Sequence, residues 1–252
     1  MIDIYMQWYP EMAFNNPQNI KTVSEKTYEA MKSAVPSCIR LIEQCNAGDT
    51  LVNTLACQGA FIACNSAETT PYQLTGLNPY DIRKKCEHPP LCYDFSNVNK
   101  FLNLDSTKKA LHVSEKSRSK WQSCDFVINA KFHTDWMKDF SPFVADLLNG
   151  NDDDSSDAIP VLVYAGDVDY ICNYMGNKAW TLGLDWKGSE AFIAANEHEW
   201  RSKEGEETVA GLARTAGGLT FLQVYEAGHM VPSDKPEIAL DMIRNFVKNG
   251  TF

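Results

Sequence analysis

Two short apolar runs stand out in the second half of the chain. Ile159 to Tyr164 (IPVLVY) and Leu219 to Tyr225 (LTFLQVY) are continuous rather than alternating, the pattern of strands buried on both faces of a parallel sheet. Each is followed by a loop and then by a segment of helical period: Asn173 to Leu182 after the first, and Pro236 to Lys248 after the second, with Ser233 or Asp234 available as its cap. Strand, loop, helix, repeated, predicts an α/β core. Upstream, Asp135 to Leu148 has an amphipathic pattern that predicts a longer helix with an internal break, and Ser106 to Leu111 predicts a short one. Between them and the first strand, Asn151 to Asp157 reads as a solvated polar connection, with a calcium loop as the alternative.

The first part of the chain has a different character. Residues 1–105 hold six of the eight cysteines and seven of the eleven prolines, with little strand signal, and helical pattern over Thr27 to Glu43 and Leu55 to Ala63. We therefore divide the chain into a helical, disulfide-stapled insertion over 1–105 and a core over 106–252. With 252 residues and 44% apolar composition there is material for one large domain or a core with an insertion. The net charge of −10 argues against a nucleic-acid or anionic-membrane partner, because phosphates recruit basic surfaces. No apolar run approaches the roughly 18 residues of a membrane span, and the first residues, Met1 to Trp8, lack the layout of a signal peptide.

Cysteine spacing is more informative than cysteine number. Cys38 and Cys45 are two helical turns apart, as are Cys57 and Cys64, so each pair lies on one helix face. Antiparallel helices joined by the turn-rich Cys45 to Thr50 set Cys45 opposite Cys57 and Cys38 opposite Cys64, predicting nested disulfides worth about 3 kcal/mol each in a chain-entropy model. Cys86 and Cys92 flank a short Pro-rich turn that a third bridge could close. Cys124 and Cys172 could pair, but Cys172 lies in an acidic motif and reads as a pocket residue, so the partner of Cys124 is expected outside this chain. Zinc ligation is disfavoured by the absence of any CxxC pair. Eight cysteines fit an oxidising compartment, hence a secreted or vacuolar/lysosomal protein whose targeting segment is not in this sequence. The acceptor tripeptide Asn249-Gly250-Thr251 is compatible with glycosylation at Asn249.

The loops after the two strands carry the candidate chemistry. Gly166-Asp-Val-Asp-Tyr-Ile-Cys172 follows the first and Gly228-His-Met-Val-Pro232 the second. Reactive groups of open α/β sheets gather beyond the carboxyl ends of strands. An acid followed by a histidine is the order of the last two members of a serine, acid, histidine triad. Asp169 is the candidate acid and Asp167, next to Gly166, the candidate turn residue. His88, His112, His133 and His198 lie in turns, helix edges or charged stretches, whereas His229 alone sits just past a strand. The nucleophile motif GxSxG is not found in the 252 residues.

The stretches VLVYAGDVDYICNYMGNKAW (Val161 to Trp180), FLQVYEAGHMVPSDKPEIALDMI (Phe221 to Ile243), PYDIRKKCEHPPLCYDF (Pro79 to Phe95) and DWMKDF (Asp135 to Phe140) resemble the serine carboxypeptidase family, most of all its carboxypeptidase Y branch. The resemblance implies an α/β-hydrolase fold, with the C-terminal part of its core in 106–252 and its cap in 1–105. It implies release of C-terminal residues from peptides through an acyl-enzyme, with Asp169 as acid, His229 as base and no cofactor or metal. It further implies that Cys172, Ile171 and Trp136 line the pocket for the residue before the scissile bond, and that Met230, Tyr80 and Tyr93 surround the departing residue. The family's serine and oxyanion segments precede the region resembled here, so the chain is expected to need that N-terminal part as partner and to be inactive alone. The alternatives are an inactive fragment or disulfide-rich binding module, or a family acyltransferase.

Overall fold

A computed structural model describes residues 2–114, 120–150, 157–202 and 208–250. Helix α1 (Ile2–Phe14) leads into α2 (Glu25–Asn46) and α3 (Leu51–Cys64), an antiparallel pair. Both helices of the pair start on side-chain caps: Ser24 accepts from the Thr27 amide, and Thr50 with Asn53 forms a reciprocal box. Disulfides join Cys38 to Cys64 and Cys45 to Cys57, in the nested order expected from the spacing, and Cys86 to Cys92. Cys124 and Cys172 are unpaired thiols.

After α3 the chain widens into a π-helical turn, Asn65–Thr69, followed by a single helical turn α4 (Thr70–Gln73). It then forms a small hairpin of β1 (Leu77–Asn78) and β2 (Asp81–Lys85). Short helices α5 (Ser96–Leu102), α6 (Asp105–Ala110), α7 (Phe126–Lys131) and α8 (Ser141–Asn149) lead to the main sheet. Its strands are β3 (Val161–Gly166), β4 (His198–Arg201), β5 (Val209–Ala216) and β6 (Leu219–Val224), in the order β3-β6-β5-β4. Between β3 and β4 lie α9 (Tyr174–Leu182) and α10 (Ser189–Ala194); α11 (Val231–Asp234) and α12 (Pro236–Asn249) close the chain. No helix of the described residues is long and apolar enough to cross a membrane.

β3 and β6 run parallel, Val161 opposite Leu219 and Gly166 opposite Val224, so their carboxyl ends deliver two loops to the same edge. β6 is buried along its whole length. β3 departs from the expected double burial: it is an edge strand among the described residues, with Tyr164 exposed and Val161 to Val163 half-buried. Two strands, HEWR and VAGLARTA, escape the apolar-run criterion because neither is a continuous run of bulky apolar residues. β5 pairs antiparallel with β6 through the two-residue turn Gly217-Gly218, whose φ angles of 58° and 92° require a left-handed backbone. β4 extends the sheet beyond β5.

Two helix expectations are corrected. The segment Asp135–Leu148 is helical only from Ser141, because Asp139 turns its carboxylate onto the Ser141 amide and hydroxyl at 2.9 and 3.0 Å, while Pro142 in the first turn fixes the start. Ser233 and Asp234 do not cap α12; they lie within α11, and Lys235 occupies the cap position without a side-chain bond. Of the polar loop Asn151 to Asp157, residues 151–156 lie outside the described set, as do Thr251 of the acceptor tripeptide and the Asn249 side chain.

One core cluster joins both halves of the chain. Tyr9 and Met12 of α1, Met31 of α2 and Tyr72 of α4 pack with Tyr170 and Trp180 from the sheet side. A second, smaller cluster sets Leu222 and Val224 of β6 against Val231 and Met242. Where the post-strand loops cross, contact is backbone to backbone: a Cβ on Gly166 would collide with the carbonyls of Ala227 and Gly228. Gly166→Ala is expected to cost about 1–3 kcal/mol through overpacking. A thermal melt of the variant checks it, and an unchanged midpoint contradicts the close approach.

Candidate active site

The loop after β3 is pinned by its own backbone. The amides of Asp167 and Val168 donate to Val224 and Ala227 carbonyls at 3.0 and 3.1 Å, bringing this loop against the one that follows β6. Asp169 therefore enters the interior, 2% exposed. Its Oδ1 accepts from the Cys172 amide at 3.3 Å, which leaves Oδ2 for a partner across the fold. That partner is His229, whose Nδ1 lies 2.9 Å away across 60 residues of sequence. Asp167, also buried, makes no contact of this kind with the histidine and remains a turn residue.

The His229 side chain is 37% exposed, so one edge of the ring is inside and the other reaches solvent. Burial works against the Asp169 charge, and the hydrogen bonds from His229 and from the Cys172 and Ile171 amides work for it. Asp169, with Cys172 beside it, holds the His229 pKa above its ordinary value, against the opposing effect of burial. In the neutral imidazole, an Nδ1–H directed to the carboxylate leaves the lone pair on Nε2, the tautomer a general base needs.

A largely apolar cavity of about 300 Å³ opens at His229, lined in part by Tyr80, Tyr93, Phe95, Trp121 and Met230. The Tyr80 ring sits 5.2 Å from the imidazole and 5.6 Å from Tyr93. Tyr80, Tyr93 and Met230 are thus brought to the histidine together. Cys172 is there too: its sulfur, an Asp169 oxygen and a His229 nitrogen lie within 4.8 Å of one another, close enough that the three could hold a metal ion. Trp136 and Ile171 are placed elsewhere. Trp136 lines a separate shallow recess with Phe132, Asp135 and Phe140 and meets Phe61 edge-on. Ile171 packs against the main core, its carbonyl accepting from the Tyr9 hydroxyl at 2.9 Å.

Sequence reasoning missed Phe95 and Trp121 as cavity walls. Phe95 had a signal, since it stands three residues after the Cys86–Cys92 bridge that fixes Tyr93. Trp121 had none: it is placed by Asn103, which holds the Trp121 backbone at both amide and carbonyl. Also unforeseen is a stack of three tyrosines beneath the acid loop, with Tyr170 between Tyr72 at 3.9 Å and Tyr9 at 4.9 Å.

A parallel strand pair that delivers a buried acid and a half-exposed histidine to one edge of a mixed sheet defines the α/β-hydrolase class. The chain belongs to the serine carboxypeptidase family, whose sequence model matches residues 3–249. It is 38% identical to carboxypeptidase Y of Candida albicans over 247 residues, 97% of this chain and 43% of that protein. With carboxypeptidase Y of Saccharomyces cerevisiae the identity is 38% over 246 residues, 96% of this chain and 44% of that one. The chain thus spans less than half the length of these relatives. The solved structure of a prohormone-processing carboxypeptidase from Saccharomyces cerevisiae shares the fold, with a TM-score of 0.71 at 23% identity over 98% of this chain and 52% of that one.

Proposed function

We propose that this chain supplies the acid, the base and one wall of the substrate cavity to a serine-type carboxypeptidase, with the nucleophilic serine contributed by a segment outside these 252 residues. The observation that carries the reading is the 2.9 Å contact between Asp169 and His229, in loops that resemble those of the family's acid and histidine. In the proposed reaction His229 Nε2 takes the serine proton as the hydroxyl oxygen attacks the last peptide carbonyl. The imidazolium so formed is stabilised by Asp169, and it returns the proton to the departing amine as the C–N bond breaks. Water then repeats the sequence on the acyl-enzyme. Peptides are the substrates in this reading, and no cofactor takes part.

Two features support a serine-bearing partner segment. β3 presents its outer edge without a strand neighbour among the described residues, and unpaired edges invite pairing. Exposed apolar side chains of Phe126, Val127, Phe132, Trp136, Phe140 and Phe143 run along residues 126–143. An oxidising compartment such as a vacuole or lysosome suits the three disulfides.

A serine-directed fluorophosphonate tests the division of labour. The isolated chain is expected to take no label, and the full-length enzyme to take one equivalent and lose peptide hydrolysis. Clear labelling of the isolated chain would place the nucleophile inside these residues and remove the two-part reading.

A further inference from the structure

The turn of the β1–β2 hairpin touches both catalytic loops at once. The Pro79 carbonyl accepts from the amides of Tyr170 and Ile171 at 3.1 and 3.0 Å, and the Ile82 amide donates to Val168 at 3.0 Å, so the acid loop hangs from the hairpin. The neighbouring Tyr80 carbonyl accepts from the His229 amide at 2.8 Å. One rigid turn thus sets the height of both members of the pair. Side chains add a second hold on the histidine loop beside these backbone bonds.

Asp234 is the residue that supplies it. Its Oδ2 accepts from the Gly228 amide at 2.9 Å, one residue before the histidine, and its Oδ1 receives Lys84 Nζ at 3.4 Å. Lys84 also meets the fully buried Asp81 at 2.9 Å, on the hairpin itself. Asp81 is in turn gripped by Arg83 through Nε and Nη2 at 2.9 and 2.8 Å. Burial resists the Asp81 charge, but the Arg83 and Lys84 hydrogen bonds outweigh it and hold the carboxyl below the usual carboxylate range. At Gly228 the packing has no slack, since a Cβ there would strike the Tyr80 carbonyl.

We propose that Asp234 is a positioning residue for the reaction: its carboxylate clamps the Gly228 amide and, through Lys84 and Asp81, locks the His229 loop onto the hairpin that carries the Asp169 loop. The proposal rests on the reading of His229 as the base. Asp234 touches no reacting atom; it acts by holding the Nδ1 to Oδ2 contact in register, and a misplacement of about 1 Å at a reacting group costs on the order of 100-fold in rate.

The test compares three variants of the full-length enzyme by steady-state kinetics, by NMR titration of His229 and by thermal melt. Asp234→Ala is expected to lower kcat by about 10- to 100-fold with KM within twofold, and to move the His229 titration down toward the ordinary histidine range. Asp234→Asn keeps an acceptor for the Gly228 amide but turns its NH2 toward Lys84, so it is expected to lose kcat by about the 3- to 10-fold of a broken Lys84 link and less than Asp234→Ala. Lys84→Met spares the Gly228 bond but frees Asp234 from the hairpin, and should lower kcat by about 3- to 10-fold. A folded Asp234→Ala with parental kcat and titration overturns the proposal. So does an unchanged Lys84→Met, which is the deciding variant if Asp234→Ala fails to fold. A parent enzyme that hydrolyses no peptide overturns the proposed function instead, and the His229 titration then still decides whether the clamp exists.

Discussion

Replacing His229 by alanine in the full-length enzyme is expected to reduce kcat for peptide hydrolysis by about four to six orders of magnitude, because triad members act as a unit and the rest contribute little once the base is gone. The protein should still fold. The side chain is 37% exposed and belongs to neither core cluster, so its removal leaves no cavity of consequence. It does leave Asp169 buried and without its partner. Deprived of the His229 hydrogen bond, an already raised carboxyl rises further, and such a group destabilises the fold as pH climbs from its unfolded toward its folded value. The folding control therefore belongs at acid pH, where Asp169 is neutral in both states. Normal turnover in His229→Ala would remove the residue from the mechanism. A collapse of the acid-pH melt would show instead that the histidine is structural.

Glu68→Gln is expected to stabilise the protein near neutral pH by a few kcal/mol, since each tenfold difference in proton affinity between the folded and unfolded states is worth about 1.4 kcal/mol. Glu68 lies in the π-helical turn, its side chain fully buried, and neither carboxylate oxygen has a partner. Burial alone pushes its pKa up to about 8. The sign follows from linkage: the neutral form suits the folded state, so stability is greatest below the unfolded value of about 4.5 and falls as pH rises toward 8. Glutamine has nearly the same shape and no charge to desolvate. The parent's melting temperature should drop between about pH 5 and 8 while that of the variant stays flatter. Equal slopes for the two proteins would mean that Glu68 finds a cation or water not visible from its surroundings. The consequence reaches the site, since the Tyr170 hydroxyl donates to the Glu68 carbonyl at 2.6 Å and Tyr170 follows Asp169 directly.

Legibility in the sequence followed locality. β6 and the helices after it and after β3 were readable because continuous apolar runs and a 3.6-residue period report burial without knowledge of any partner. The nested disulfides were readable for the same reason: residues seven apart share a helix face whichever helix lies opposite. β5 was missed because VAGLARTA alternates weakly and lacks bulky apolar residues, although Gly217-Gly218 ahead of LTFLQV was an available hairpin signal. The start of α8 was missed because Asp139 competes with the helix through its side chain, a contact that apolar periodicity does not register.

Within the site, residue type and position after a strand singled out Asp169 and His229, and family resemblance added Tyr80, Tyr93, Met230 and Cys172. What the sequence could determine by itself was which groups have the right chemistry and lie on post-strand loops. Only the tertiary structure decided which of them meet. It joined His229 to Asp169 through the parallel register of β3 and β6, drew Tyr80 in from a hairpin nearly 150 residues away in the chain, and sent Trp136 to a separate recess and Ile171 against the main core. The physical reason is that periodicity records whether a side chain is buried, whereas its partner is fixed by sheet register and by loop closures whose cost depends only weakly on their length. The Asp81, Lys84 and Asp234 clamp belongs to that second kind of information: three ordinary surface-type residues in sequence, joined into one lock by the fold.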